Sequence, residues 1–221
     1  MGTIEVLWTE TQPICGCCLT GLPFSHLNLR RNPFGELTAE ERTALAIVDL
    51  GDALRHLSEP RSAVQIIGEK GFGKTTHLLA LARQLPDHAY VHIPEGQRST
   101  VPVTGEPLLI DEAQRLTLPQ RRLVFRSNRR LILGTHRDFT RALQTAGRPT
   151  LTLSADRFTD AKLVCTIFNA RIESVRRSAG PIPSVTAETA ARLFATFGSG
   201  LRSIEHALYQ MFQQLKDVQD V

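Results

Sequence analysis

The chain has 221 residues, 42 % of them apolar and 22 % charged. This suits one mid-sized core with a small appendage and excludes wholesale disorder. No apolar run approaches the roughly 18–20 residues that span a bilayer. The start, MGTIEVLWTE, lacks a basic segment followed by an apolar one, and Val6 stands where a myristoylation signal has Ser or Thr, so the expectation is a cytoplasmic chain without membrane contact. The formal charge is +4, and 22 of the 26 basic residues are Arg against four Lys. Arginine forks suit phosphate and carboxylate partners, but a charge of this size does not by itself argue for nucleic acid.

Residues 1–31 read as an N-terminal arm, interrupted by Pro13, Gly16, Gly21 and Pro23. Cys15, Cys17 and Cys18 fall in it, with His26 nearby; their C-x-C-C spacing departs from the C-x2-C of zinc knuckles, leaving a metal site or ordinary reduced thiols. After the turn-rich RNPFGEL, Thr38 and Glu41 form a capping box. It opens a helix striped by Leu45, Val48, Leu54 and Leu57 and stopped by Ser58 and Pro60. Ala63–Ile67 is a strand, residues 68–75 a glycine-rich loop, 76–85 a helix and 89–93 a second strand. Leu108–Asp111 is the next strand, and helix then runs from about Glu112 through a basic stretch to Ser127. Residues 130–134 form a strand, 139–146 a helix and 150–153 a last strand. From Ser154, read as a cap, only helices follow: to about Arg177, from Thr186 to Phe197, and from Leu201 to Lys216. The expected fold is α/β: a three-layer parallel-sheet core of the P-loop type over residues 32–153, with a small all-helical lid at 154–221.

Gly68-Glu69-Lys70-Gly71-Phe72-Gly73-Lys74-Thr75 satisfies G-x-x-x-x-G-K-[ST]. Its glycines let backbone N–H groups turn inward on a β-phosphate, and the following helix adds the positive end of its dipole. Lys74 is a point charge for the β- and γ-phosphates, Thr75 offers a hydroxyl to Mg2+, and Thr76 continues the phosphate cradle. Leu108-Leu109-Ile110-Asp111-Glu112 is the matching half. An apolar strand ending in Asp111 sets a carboxylate for Mg2+ at the carboxyl edge of the sheet, and Glu112 is placed to polarise water. The acid pair argues for hydrolysis of ATP over transfer to a small-molecule acceptor.

With these motifs the chain resembles the AAA+ ATPases, most closely the compact transposition-regulator and secretion-type branch that has D-E-A-Q after the strand, here Asp111-Glu112-Ala113-Gln114. The resemblance covers residues 32–216 and implies further parts. Thr135 or His136 takes the sensor 1 place at the end of LILGTHR, where the family more often has Asn. Arg202 is the sensor 2 arginine at the start of the last helix. An arginine finger given to a neighbour's nucleotide falls on Arg141 or, preferably, Arg148. Phe34 in Asn32-Pro33-Phe34 is either an apolar contact for adenine or a hinge or core aromatic.

Arg115, Arg121, Arg122, Arg126, Arg129, Arg130, Arg137 and Arg141 crowd one segment, as DNA contacts or as subunit contacts and solvated surface. Two functions follow: an ATP-dependent, oligomerising DNA-associated switch, or a nucleotide-gated module that recruits an unidentified protein partner through residues 1–30. Residues 94–106 contain no aromatic, which counts against a peptide-threading ring.

Overall fold

The computed structural model describes residues 23–97 and 99–221. Cys15, Cys17 and Cys18 lie outside them. Five strands form one parallel sheet: β1 (Ala63–Ile67), β2 (Ala89–His92), β3 (Leu108–Asp111), β4 (Leu131–Thr135) and β5 (Thr150–Ser154), in the order β2-β3-β4-β1-β5. Helices α1 (Ala39–Ala44), α2 (Gly51–His56), α3 (Lys74–Gln84), α4 (Leu118–Arg126) and α5 (Thr140–Thr145) belong to this half. Helices α6 (Ala161–Ser174), α7 (Ala187–Phe197) and α8 (Leu201–Gln214) complete the chain.

The central strands read as unbroken apolar runs because both sheet faces are covered by helices. Val64, Ile66, Leu109 and Ile132 turn to one side, against Leu78 and Leu81 of α3; Leu108, Ile110, Leu131 and Leu133 turn to the other, against Phe125, Phe139 and Leu143. Register places Ile67 beside Thr135 and Ile110 beside Leu133, so the carboxyl ends of β1, β3 and β4 adjoin. Ligands of open α/β sheets bind at this edge.

One buried polar residue interrupts the apolar pattern. Gln65, in the middle of β1, is fully enclosed. Its amide nitrogen donates to Asp138 Oδ1 at 2.9 Å, Thr140 Oγ1 at 2.6 Å and Thr152 Oγ1 at 2.8 Å, and its oxygen accepts the Phe139 N–H at 2.9 Å. A satisfied buried amide of this kind fixes the start of α5 against the sheet.

Three local expectations change. The helix expected from Thr38 to Ser58 is two short ones. Asp49 Oδ1 accepts the Gly51 N–H at 2.9 Å, so a side-chain turn starts α2 afresh and residues 45–50 stay irregular. Residues 112–117 are not continuous helix; a 3-10 turn at Ala113–Arg115 precedes α4, which is capped by Thr117 and Gln120. Ser154 does not cap the following helix; Ala155–Phe158 is a 3-10 turn, and Asp160 caps α6 by accepting the Leu163 N–H at 2.7 Å.

The residues described from 23 onward do not trail from the fold. Leu27, Leu29 and Phe34 are buried in an apolar cluster with Phe168, Ile172, Ile204, Leu208 and Phe212 of α6 and α8. Arg171 ties the two ends together: it donates to the carbonyls of Pro33 at 3.1 Å and Gly35 at 2.9 Å, and pairs with Glu205 at 2.9 Å.

Candidate nucleotide site

The loop between β1 and α3 borders a cleft of about 1350 Å3, walled on one side by the sheet edge and on the other by residues 34–37, α6 and α8. Gly71 has φ +94°, open to glycine and strained for other residues, and a Cβ there would stand 3.0 Å from that of Arg202. The loop therefore passes directly under the first turn of α8. Gly68, Glu69, Lys70, Phe72 and Gly73 complete it, and Thr75 and Thr76 lie in the first turn of α3.

Lys74 is 5 % exposed, and its ammonium donates to the carbonyls of Gly68 at 2.8 Å and Glu69 at 2.9 Å. Burial holds its pKa below the ordinary lysine value, with the charges of Glu112, Asp111 and Glu69 acting in the opposite direction. The Thr75 hydroxyl donates to Asp111 Oδ2 at 2.8 Å, joining the two halves of the expected metal pair across the start of α3 and the end of β3. Gly134 is required here, since a Cβ would meet Asp111 Oδ1 at 2.9 Å. Hydroxyl, carboxylate and ammonium groups at one sheet edge form a donor set suited to a triphosphate and a hard divalent cation.

Glu112 has φ +62°, a left-handed conformation uncommon outside glycine. Its Oε2 accepts from Gln114 Nε2 at 2.8 Å and lies 3.2 Å from the Arg115 guanidinium, while Oε1 lies 3.5 Å from His136 Nε2. His136 is also 3.5 Å from Lys74 Nζ. Of the two sensor 1 alternatives, the imidazole of His136 faces the acid; Thr135 is buried, its hydroxyl engaged with the Arg137 backbone.

Arg202 is exposed in the first turn of α8 and borders the cleft beside Gly71. Lys74, Thr75, Asp111, Glu112, His136 and Arg202 thus face one space.

Two expected site residues take other roles. Arg148 is not presented to a neighbour: it is 2 % exposed. Its guanidinium donates to the carbonyls of Phe125 (2.7 Å), Arg61 (2.9 Å), Arg129 (2.7 Å), Val124 (3.3 Å) and Ser127 (2.6 Å), using its donors to cap the end of α4. Burial, with Arg61 nearby, pulls its pKa down to about 10. Phe34 is a core aromatic rather than a face offered to adenine; it is 3 % exposed and packs edge-on against Phe168 at 5.6 Å and Phe212 at 4.9 Å.

Three further residues join the site: Tyr90 and His92, which no motif marks, and Gln114, the last residue of the D-E-A-Q run. Asp111 Oδ2 accepts from Tyr90 at 3.4 Å and lies 3.2 Å from His92 Nδ1, both on β2, while Gln114 bridges Glu112 and the His136 N–H, the latter at 3.2 Å. Burial, then the charge of Asp111, pushes the Tyr90 phenol well above its ordinary pKa. The alternation of Tyr90 and His92 on a strand next to the Asp111 strand was the available clue.

No protein-family profile matches the chain, and no curated protein matches it. Among solved structures it is similar to Thermotoga maritima RuvB. Against one single-site mutant the TM-score is 0.53 at 19 % identity, covering 85 % of this chain and 66 % of that one. Against another it is 0.52 at 17 % identity, covering 86 % and 69 %. A third structure, described as the Holliday junction branch migration motor, gives 0.47 at 18 % identity, covering 79 % and 60 %. The chain therefore spans roughly two thirds or less of the length of the first of these structures. The likeness shows the fold: a five-stranded, all-parallel α/β core followed by C-terminal helices.

Proposed function

We propose that the protein is a cytoplasmic Mg2+-dependent ATPase of the AAA+ type, nearest in its D-E-A-Q run to the transposition-regulator and secretion-type branch, and that it works as an oligomerising, DNA-associated switch. Residues 32–153 are the ATPase core and 154–221 the lid. The observation that carries the ATPase reading is the convergence of Lys74, Thr75, Asp111, Glu112 and His136 at the adjoining ends of β1, β3 and β4.

The backbone of residues 68–73 and the start of α3 cradle the phosphates, and Lys74 leaves the Gly68 and Glu69 carbonyls to pair with them. Thr75 and Asp111 would hold Mg2+, which when bound neutralises charge developing on the phosphate oxygens. Glu112 orients and deprotonates the attacking water, while Gln114 and His136 fix its carboxylate. Arg202 reaches the γ-phosphate from α8. With Arg148 consumed inside the fold, Arg141, exposed on α5, is the remaining finger for a neighbour's nucleotide in a ring or filament.

The DNA association rests on the arginine segment. The test is the ATPase rate with and without duplex DNA, for the wild type and for Glu112→Gln. Hydrolysis by the wild type, stimulated by DNA and lost in the variant, is expected; wild-type turnover in Glu112→Gln overturns the catalytic assignment.

A further inference from the structure

The eight arginines between Arg115 and Arg141 are not equivalent. Arg115 donates to the Ile93 carbonyl at 2.8 Å and pairs with Glu112 and Glu95. Arg129 donates to the carbonyls of Pro102, Thr104 and Gly105, and Arg130 to Glu106 and Leu57. Arg121 lies over the Phe139 ring at 5.4 Å. The remaining four, Arg122, Arg126, Arg137 and Arg141, are exposed, and their guanidinium groups have no hydrogen-bond or ion-pair partner among the described residues.

These four fall into two pairs. Arg137 and Arg141 flank the turn after His136. Arg122 and Arg126 stand one helical turn apart on α4, whose opposite side is fixed by buried Val124 and Phe125. No Asp or Glu occurs among the 25 residues between Glu112 and Asp138, so nothing acidic on α4 neutralises the pair. Beside α4 runs the loop 99–105, also without an acid, pinned by Gln120 Nε2 on the Ser99 carbonyl at 3.0 Å and by Arg129. Leu123 of α4 is 76 % exposed, and Val103 of the loop is 89 % exposed.

We infer that α4 and the pinned loop form the face on which this protein holds the phosphate backbone of duplex DNA, with Arg122 and Arg126 as the phosphate contacts. Arg137 and Arg141 are left to the subunit interface. The inference rests on the DNA-associated reading above. Charge complementarity selects the occupant: two unpaired guanidinium groups at i and i+4, on a helix and beside a loop that carry no acid of their own, meet successive phosphates without reorganising. Leu123 and Val103 are bystanders in this arrangement.

The test uses the full chain with a non-hydrolysable ATP analogue and a fluorescent 40-base-pair duplex, titrated over a series of salt concentrations. Wild type is compared with Arg122→Gln/Arg126→Gln and with Leu118→Ser/Leu123→Ser; basal ATPase activity without DNA reports the fold and the nucleotide site, and both variants are expected to retain it. The arginine variant is expected to bind about tenfold or more weakly, with the slope of log K against log salt reduced by about 2, one for each phosphate contact removed. The leucine variant is expected to bind as wild type. Unchanged affinity and slope in the arginine variant, with wild type binding DNA, overturns the assignment of this face while leaving the DNA reading standing. Loss of binding in the leucine variant with none in the arginine variant overturns Arg122 and Arg126 as the phosphate contacts. Absence of wild-type binding at low salt removes the DNA reading and this face with it.

Discussion

Gln114 donates to the Glu112 carboxylate at 2.8 Å with its nitrogen and accepts the His136 N–H at 3.2 Å with its oxygen. One side chain thus spans the ends of β3 and β4 and sets where the acid points. Replacing it with Leu keeps the volume and removes both contacts. We expect kcat to fall about tenfold while ATP affinity stays within about twofold, the pattern of a group that positions a catalytic base. A rise in KM with kcat unchanged would mean that Gln114 serves binding instead.

Glu112→Gln keeps the shape of the side chain and removes its basicity. ATP binding, followed by a fluorescent analogue, should be retained, and steady-state hydrolysis should fall by about 100-fold or more. Lys74→Ala, in contrast, should lose binding itself, because the ammonium is the principal point charge in the phosphate loop.

Arg148 and Arg141 should separate cleanly. Arg148→Met leaves several buried carbonyls of residues 124–129 without donors and should lower unfolding free energy by about 3 kcal/mol, read as a shifted denaturant midpoint. Arg141→Ala should melt like wild type yet hydrolyse ATP about 1000-fold more slowly once assembled. Mixing Arg141→Ala with Glu112→Gln should restore activity, since one supplies the intact site and the other the intact finger. No recovery on mixing would place the finger elsewhere.

Asp138 accepts the Thr140 N–H at 2.7 Å, the Thr140 hydroxyl at 2.5 Å and the Gln65 amide. The Thr140 bonds, hydroxyl first, hold its pKa below the usual carboxylate value. A depressed native pKa stabilises above the unfolded value and is lost as pH falls through the native one. Asp138→Ala should therefore cost about 1 kcal/mol at neutral pH, and the gap to wild type should close on acidification below the ordinary aspartate range. A gap that persists at low pH would show that the loss is one of packing.

The phosphate loop and the acid pair were readable because their chemistry demands fixed residue types at contiguous positions. Lys74, Thr75, Asp111 and Glu112 meet as their spacing implied. Arg148 was not readable, because its acceptors are carbonyls at residues 61, 124, 125, 127 and 129, brought together only by folding. The choice between the two readings of Phe34 was hidden for a similar reason: its partners Phe168 and Phe212 lie far along the chain. The break between α1 and α2 depended on a single side-chain turn at Asp49, which a periodic apolar stripe conceals.

The cluster that joins Leu27, Leu29 and Phe34 to α6 and α8 bears on what a bound nucleotide does mechanically. The far wall of the cleft is packed as one block with the C-terminal helices and riveted by Arg171, while the near wall is packed with the sheet. A molecule lying between them bonds two separately cored bodies, so its free energy of binding becomes cohesion across the seam. On the proposed ATPase reading, hydrolysis would loosen a joint, and the residues before α1, packed and bonded to the helices after β5, would stay with them as one body.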